Sequence, residues 1–300
     1  MYILTKECAE YISSKLNCSH IIIDFTWFNQ DIVNKDFVID EDIDLIVVLD
    51  VADPIWFRSE KIYWIKKQTK PVIFIGTPNN FIYNTVPLLS WLRFRVQQSH
   101  AKTNYDNFFL SINGKTHSHR KILQNLYLND SLLSKKGIFS FDKDAPLRKH
   151  SFLPDPQIDI VGYQQKAQII DDYQLFSMFE IVCETQGSDD EIFLSEKTVK
   201  ALSTESPLFL AGCRGSLYML KNIYGFKDFT QDDSYDLNKN YSVRANKLIN
   251  LARDFYEHPR EKVFNNAKYN TEHLYTKFDE IHDKVFETSL ERILDKVDLT

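Results

Sequence analysis

One stretch, Phe179 to Phe229, constrains the fold of this 300-residue chain more than any other. Phe179 to Cys183 (FEIVC) is a short apolar run with β-branched residues, the pattern of a buried strand. A polar segment, Glu184 to Glu191, ends it. Ser195 then stands where a helix cap belongs, with Glu196, Lys197 and Thr198 in the first turn and Leu194, Val199 and Leu202 on the apolar side. Pro207 to Ala211 reads as a second strand, and Gly212 to Gly215 turns the chain into another helix. This βαβα order favours a parallel sheet whose strand ends open onto a ligand.

The helix start at Ser195 is chemically the most informative point. Free backbone N–H groups and the helix dipole favour an anion there, and Lys197 adds a mobile positive charge. The Glu196 carboxylate suits the paired hydroxyls of a ribose. A nucleoside diphosphate fits that combination. The same residues also fit an ordinary capped helix with Glu196 and Lys197 in solvent.

Upstream, His20 to Asp24, Ile43 to Asp50 and Val72 to Gly76 read as strands. Residues 2–17, Ile55 to Gln68 and Val86 to Gln97 read as helices. They form a small Rossmann-like half over residues 1–100, with Ser99 to Asn107 as the linker. In the second half, residues 101–300, Phe108 to Ile112 is a strand, His119 to Leu133 a helix and Gly137 to Phe141 a strand. Residues 142–171 are irregular. Two final helices, 242–257 and 260–294, are separated at His258-Pro259.

Ser111 to Arg120 (SINGKTHSHR) forms a second candidate anion site: a strand end, a small-residue turn and a helix carrying an arginine. A guanidinium fork holds two phosphate oxygens at once. A surface arginine on an amphipathic helix is the plain alternative.

Taken together, S-E-K-T-x-K-A-L from Ser195, the strand opening at Pro207, G-x-x-G-S-L from Gly212 and G-F-K-D-F from Gly225 resemble the donor half of GT-B nucleotide-sugar glycosyltransferases. The layout is similar to Lewis-type fucosyltransferases and to phage and surface-glycan glycosyltransferases. The likeness covers roughly residues 105–230. It implies an α/β GT-B-like fold, two Rossmann-like domains facing a cleft, with C-terminal helices crossing back to the first. It implies donor contacts at Ser111, Asn113, Arg120, Glu184, Ser195, Glu196, Lys197 and Thr198, with Arg120 and Lys197 clamping the diphosphate from opposite sides. Where the fucosyltransferase pattern has E-N-S, this chain has Glu184-Thr185-Gln186, so the donor sugar is left open.

Composition narrows the alternatives. A net charge of −6 argues against a broadly basic nucleic-acid binder. The four cysteines form no C-x-x-C pair, which gives zinc no support and fits a reducing, cytoplasmic setting, the host cytoplasm if the chain is phage-encoded. No apolar run reaches membrane-spanning length. Asp42-Ile43-Asp44 and Asp142-Lys143-Asp144 match the bare D-x-D pattern, but 42 acids make such matches expected by chance. The expectation is a metal-independent enzyme with no cofactor beyond the nucleotide-sugar co-substrate. Asp24, Asp50 and Asp53 end first-half strands or follow them, and Asp50 is the chosen catalytic base if transfer inverts. The resemblance implies as acceptor a glycan, a protein or a modified base in phage DNA. The rival from another class is a non-catalytic nucleotide-sugar or glycan-binding module.

Overall fold

The computed structural model describes residues 2–16, 18–24, 40–50, 67–76, 85–87, 89, 99–102, 105–106, 108–113, 117–140, 172–185, 187 and 192–296. The chain divides into two compact units, Met1–Ser90 with Glu280–Thr300, and Trp91–Asp279. Both are α/β and each carries a parallel sheet.

The first unit opens with helix α1 (Tyr2–Lys15) and then lays down β1 (His20–Asp24), β2 (Leu45–Asp50), β3 (Val72–Gly76) and β4 (Thr85–Pro87). They pair in chain order, all parallel. Leu45 to Leu49 and Ile73 to Ile75 are wholly buried, so the inner strands are covered on both faces. Their unbroken apolar runs are the signature of that environment. Val86 and Pro87 were expected to open a helix, but they pair as an edge strand, Gly76 opposite Pro87. Proline is tolerated there because an edge strand needs no partner on its outer side. The expected helix over 55–68 falls mostly outside the described residues, as does the helical stretch after Pro87.

The second unit contains β5 (Phe109–Ile112), α2 (Ser118–Asn129), α3 (Leu133–Lys136), β6 (Gly137–Ser140), α4 (Asp172–Phe176), β7 (Phe179–Cys183), α5 (Glu196–Ser203), β8 (Leu208–Ala211) and α6 (Ser216–Asn222). A 3₁₀ turn (Asp233–Leu237), α7 (Tyr241–Glu257), α8 (Glu261–Thr276) and α9 (Phe278–Leu294) follow; α9 continues into the residues of the first unit at Glu280. The sheet order is β6-β5-β7-β8, all parallel. Phe109, Phe179 and Phe209 meet on one face with ring centroids 5.3 and 5.0 Å apart, and Phe255 of α7 covers them.

Local chemistry explains several boundaries. The expected helix from His119 to Leu133 stops at Asn129, because the Asp130 carboxylate accepts the Leu132 and Leu133 amides and starts α3 instead. The expected single helix over 260–294 is two, α8 and α9, broken at Lys277. Gly225, at φ +79°, lets the Phe226 amide reach back to the Leu220 carbonyl at 3.1 Å and close α6. At the sheet edge, the Tyr235 hydroxyl takes the Leu210 amide (3.1 Å) and donates to the Leu210 carbonyl (3.0 Å), occupying the outer side of β8. No helix among the described residues is long and apolar enough to cross a membrane.

Candidate functional site

The connections of the second sheet run in opposite directions from its middle. β5 leads through α2 to β6 on one side, and β7 leads through α5 to β8 on the other. Right-handed crossovers then put α2 and α5 on opposite faces. The carboxyl ends of β5 and β7 therefore flank a switch point, where open α/β sheets bind ligands. Of the eight expected donor residues, Ser111 lies in β5 and Asn113 just after it, Glu184 follows β7, Ser195, Glu196, Lys197 and Thr198 form the start of α5, and Arg120 lies in the first turn of α2.

Glu184 is the centre of this region. It follows β7, is fully buried, and turns its carboxyl toward the start of α5. One oxygen, Oε1, accepts the Ser195 amide at 2.9 Å and the Thr198 hydroxyl. The other, Oε2, has no hydrogen-bond partner among the described residues. Burial drives the Glu184 pKa up, against the opposing pull of Lys197 and of its two donors. Ser195 is the helix cap expected from sequence, its hydroxyl accepting the Lys197 amide at 3.3 Å.

Glu196 and Lys197 project at the same helix start. Their side chains are partly exposed and pair at 2.7 Å. Burial opposes the charge of Glu196, but the Lys197 ammonium and hydrogen bonds outweigh it and hold the carboxyl below its ordinary range. Ser111 and Asn113 are buried, Asn113 donating from Nδ2 to the Ser111 hydroxyl at 3.3 Å.

Arg120 lies at 3% exposure and serves the backbone. Its Nε donates to the Glu184 carbonyl and its Nη2 to the Cys183 carbonyl, both at 3.3 Å. It thus fixes the carboxyl end of β7. Of the expected charged donor residues, Glu196 and Lys197 reach solvent, whereas Arg120 and Glu184 do not.

Residues passed over in the sequence complete the region. In the sequence His119 marks only the start of a helix. Its Nε2 stands 2.9 Å from the Glu184 carbonyl, which can only accept, so Nε2 carries the proton. Burial lowers its pKa to about 4, leaving the ring neutral near pH 7. Its edge packs on Tyr241. A Cβ at Gly187 would stand 2.9 Å from the Tyr241 ring and 3.0 Å from His119, so this position needs glycine. Arg244 is buried and donates to the carbonyls of Gly187 (3.0 Å) and Asn238 (2.6 Å), tying the loop after β7 to α7. No motif in the sequence marked it; its neighbours are ordinary helix residues.

The turn after β8 is closed to anions. Gly215 takes φ +83°, and the Asp236 carboxylate accepts the Leu217 and Tyr218 amides at the start of α6, at 2.9 and 3.1 Å. Burial raises the Asp236 pKa to about 6. In the first unit, Asp50 ends β2 opposite Gly76, and its side chain lies outside the described residues, as do those of Asp24 and Asp53. Asp44 accepts the Ser19 amide at 3.1 Å, a turn role that accounts for half of the first D-x-D match. The second match lies outside the described residues. Among the described residues, no group of three or more His, Cys, Asp or Glu side chains could hold a metal.

No protein-family model matches this chain, and neither does any curated protein.

Proposed function

We propose that the second unit binds a nucleotide-diphosphate sugar and that the chain is a GT-B-type glycosyltransferase. The observation that carries this reading is the position of the Ser195–Thr198 helix start. It caps α5 beside the switch point of a parallel sheet and presents the partly exposed Glu196–Lys197 pair there. The pair is pre-set for exchange: Lys197 moves from Glu196 to the diphosphate, and Glu196 turns to the ribose hydroxyls. The leaving diphosphate is then stabilised electrostatically by Lys197 and helix amides as the glycosidic bond breaks.

Arg120 enters this scheme as a positioning residue. Its bonds to the Cys183 and Glu184 carbonyls hold the strand end from which the site is built. The GT-B reading gives the acceptor, a glycan, a protein or a modified DNA base, to the first unit. Asp50, at the carboxyl end of β2, is the base for an inverting transfer.

Titration calorimetry and a hydrolysis and transfer assay over UDP-, GDP- and CMP-sugars test the reading. One nucleotide class binds, turnover survives EDTA, and Lys197→Ala weakens binding roughly 10- to 150-fold, the loss of one charge-assisted hydrogen bond. Asp50→Asn abolishes transfer and spares donor binding. Absence of binding by every donor, or full donor affinity in Lys197→Ala, overturns the donor site. Binding without turnover on any acceptor favours a non-catalytic binding module instead.

A further inference from the structure

The start of α5 already holds a carboxyl group of its own, Glu184, where the donor-site reading requires an anion to dock. Two negative charges at one helix start repel each other. The hydrogen-bond geometry resolves the conflict. Both donors that Glu184 receives, the Ser195 amide and the Thr198 hydroxyl, converge on Oε1. Oε2 is buried and unpaired. No described cation forms an ion pair with Glu184: the nearest candidates are engaged elsewhere, Lys197 with Glu196 at 2.7 Å and Arg120 with main-chain carbonyls. A carboxylate with one bare oxygen and no ion-pair partner costs far more to bury than a carboxylic acid with its proton on that oxygen.

We propose that Glu184 works as a neutral carboxylic acid, a positioning residue whose proton lets the α5 helix start accept the phosphates of the donor. The proposal rests on the donor-site reading above and adds its regulation. With Glu184 neutral, Oε1 orders Ser195 and Thr198 while the positive end of the helix stays uncompensated. Once Glu184 ionises, its charge takes the helix dipole and the field of Lys197, and a second anion is repelled. Anion binding and the Glu184 proton are then linked: binding raises the Glu184 pKa and draws a proton from solvent.

The groups on the helices and strand around Glu184 do not mimic this titration, and Asp236 in the turn after β8, raised by burial to about 6, stays in place in Glu184→Gln, which separates the two. Glu196 and Lys197 are an ion pair on α5, and the Glu196 carboxyl is held below its ordinary range. His119 of α2 titrates near 4. Arg120 of α2 donates to the Cys183 and Glu184 carbonyls, and Arg244 of α7 to those of Gly187 and Asn238. Burial pushes the Cys183 thiol of β7 and the Tyr241 hydroxyl of α7 upward. The raised Glu184 pKa, caused by burial, agrees with the geometry.

The test uses UDP-glucose and GDP-mannose, whose diphosphates lack the secondary phosphate proton that titrates at about pH 6. Calorimetry in two buffers of different ionisation enthalpy gives affinity and proton uptake across pH for wild type and Glu184→Gln. Glutamine copies the neutral acid: its oxygen takes the Ser195 and Thr198 donors and its NH₂ stands where the proton was. In wild type, affinity falls with rising pH by up to about tenfold per unit once Glu184 ionises, with proton uptake on binding. In Glu184→Gln, affinity is independent of pH and no lower than that of wild type at its acid limit. A flat wild-type profile without proton uptake overturns the proposal. So does a Glu184→Gln protein that fails to fold or binds more weakly at every pH, since Glu184 then acts as a carboxylate. If wild type binds neither nucleotide sugar nor any other of the donor panel, the donor-site reading itself fails and this proposal falls with it.

Discussion

Strand β7 carries two buried carboxyl groups, Glu180 near its amino end and Glu184 just past its carboxyl end. Four residues apart, they live in opposite conditions. Both Glu180 oxygens have partners, Gln174 on Oε2 at 3.3 Å and Thr204 on Oε1 at 3.4 Å. Lys102 stands in the same cluster and donates to the Ser177 carbonyl and the Ser206 hydroxyl, each at 2.5 Å. Burial raises the Glu180 pKa, with Lys102 as the strongest opposing influence, and burial lowers the Lys102 pKa to about 8. Glu184 has one oxygen without a hydrogen-bond partner among the described residues. A satisfied buried network fixes structure, whereas a deficient one is tolerated where a ligand or a proton completes it. The amino end of this sheet is accordingly read as scaffold and the carboxyl end as site.

The comparison is broken most severely by removing the cation of the scaffold cluster. Lys102→Met strips its donors from the Ser177 carbonyl and the Ser206 hydroxyl and removes the positive charge that opposes the effect of burial on Glu180, at a cost of about 1–3 kcal/mol for each buried group left unpaired. Chemical denaturation reads the loss, and donor binding in the protein that remains folded is unchanged. The pH dependence has a definite sign. The folded state holds the Lys102 proton less tightly than the unfolded chain does. The Lys102 contribution therefore makes stability rise between about pH 8 and the ordinary lysine range near 10.5, and Lys102→Met removes that rise. A Lys102→Met protein as stable as wild type would place Glu180 in the same class as Glu184.

At the other end, Glu184→Ala strips the acceptor from the Ser195 amide and the Thr198 hydroxyl, at a cost of about 1–3 kcal/mol for each group left buried and unpaired. Glu184→Gln keeps the acceptor and costs little. The wild-type stability deficit grows as pH rises from the free-carboxyl range toward the raised Glu184 pKa, because the folded state must give up a proton it holds more tightly. Glu184→Gln has no such slope, so thermal unfolding of the two proteins diverges with rising pH.

Arg120→Ala is the next step down. The guanidinium is buried against the Cys183 and Glu184 carbonyls, so its loss lowers stability by about 1–3 kcal/mol as well as donor affinity. An open-cleft clamp would behave differently: affinity would fall at constant unfolding temperature. Measuring both quantities in one variant separates positioning from direct contact.

The scaffold end and the site end were unequally legible in the sequence. Strands such as Leu45–Asp50 and Phe179–Cys183 announce themselves because burial on both faces demands unbroken apolar runs. The cap at Ser195 follows from side-chain chemistry that acts within one helical turn. Short edge β4 was hidden, since V-P-L-L-S-W-L-R carries a helical spacing and the strand holds only three residues. The break at Lys277 has neither glycine nor proline to mark it. The long-range pairings were the least visible. Nothing local says that Arg120 is buried under β7, that His119 donates to the Glu184 carbonyl, or that Lys102 reaches Ser206, 104 residues away. Such contacts are fixed by sheet order, which residue types alone do not encode.

The smallest expected effect comes from the turn after β8, where two glycines have different reasons to be there. Gly215 takes φ +83°, so Gly215→Ala is strained and costs about 1 kcal/mol. Gly212 has no positive φ. A Cβ there would stand 3.4 Å from Glu184 Cγ and 3.6 Å from Leu210 Cγ and Ser216 Oγ, ordinary packing distances. Gly212→Ala therefore raises stability by about 0.4–1 kcal/mol through the less flexible unfolded chain. The added methyl also covers the Glu184 stem and excludes water from it further, so the stability slope with pH is kept or steepened. Thermal unfolding of both variants across pH checks the pair. If Gly212→Ala is instead as stable as expected but loses donor affinity, the ligand passes directly over the Gly212 Cα. The site end would then extend from β7 to β8. If it is destabilised by more than Gly215→Ala, the Glu184 side chain has no freedom to accept the methyl. The carboxyl end would then be as tightly built as the Lys102–Glu180 network it is contrasted with.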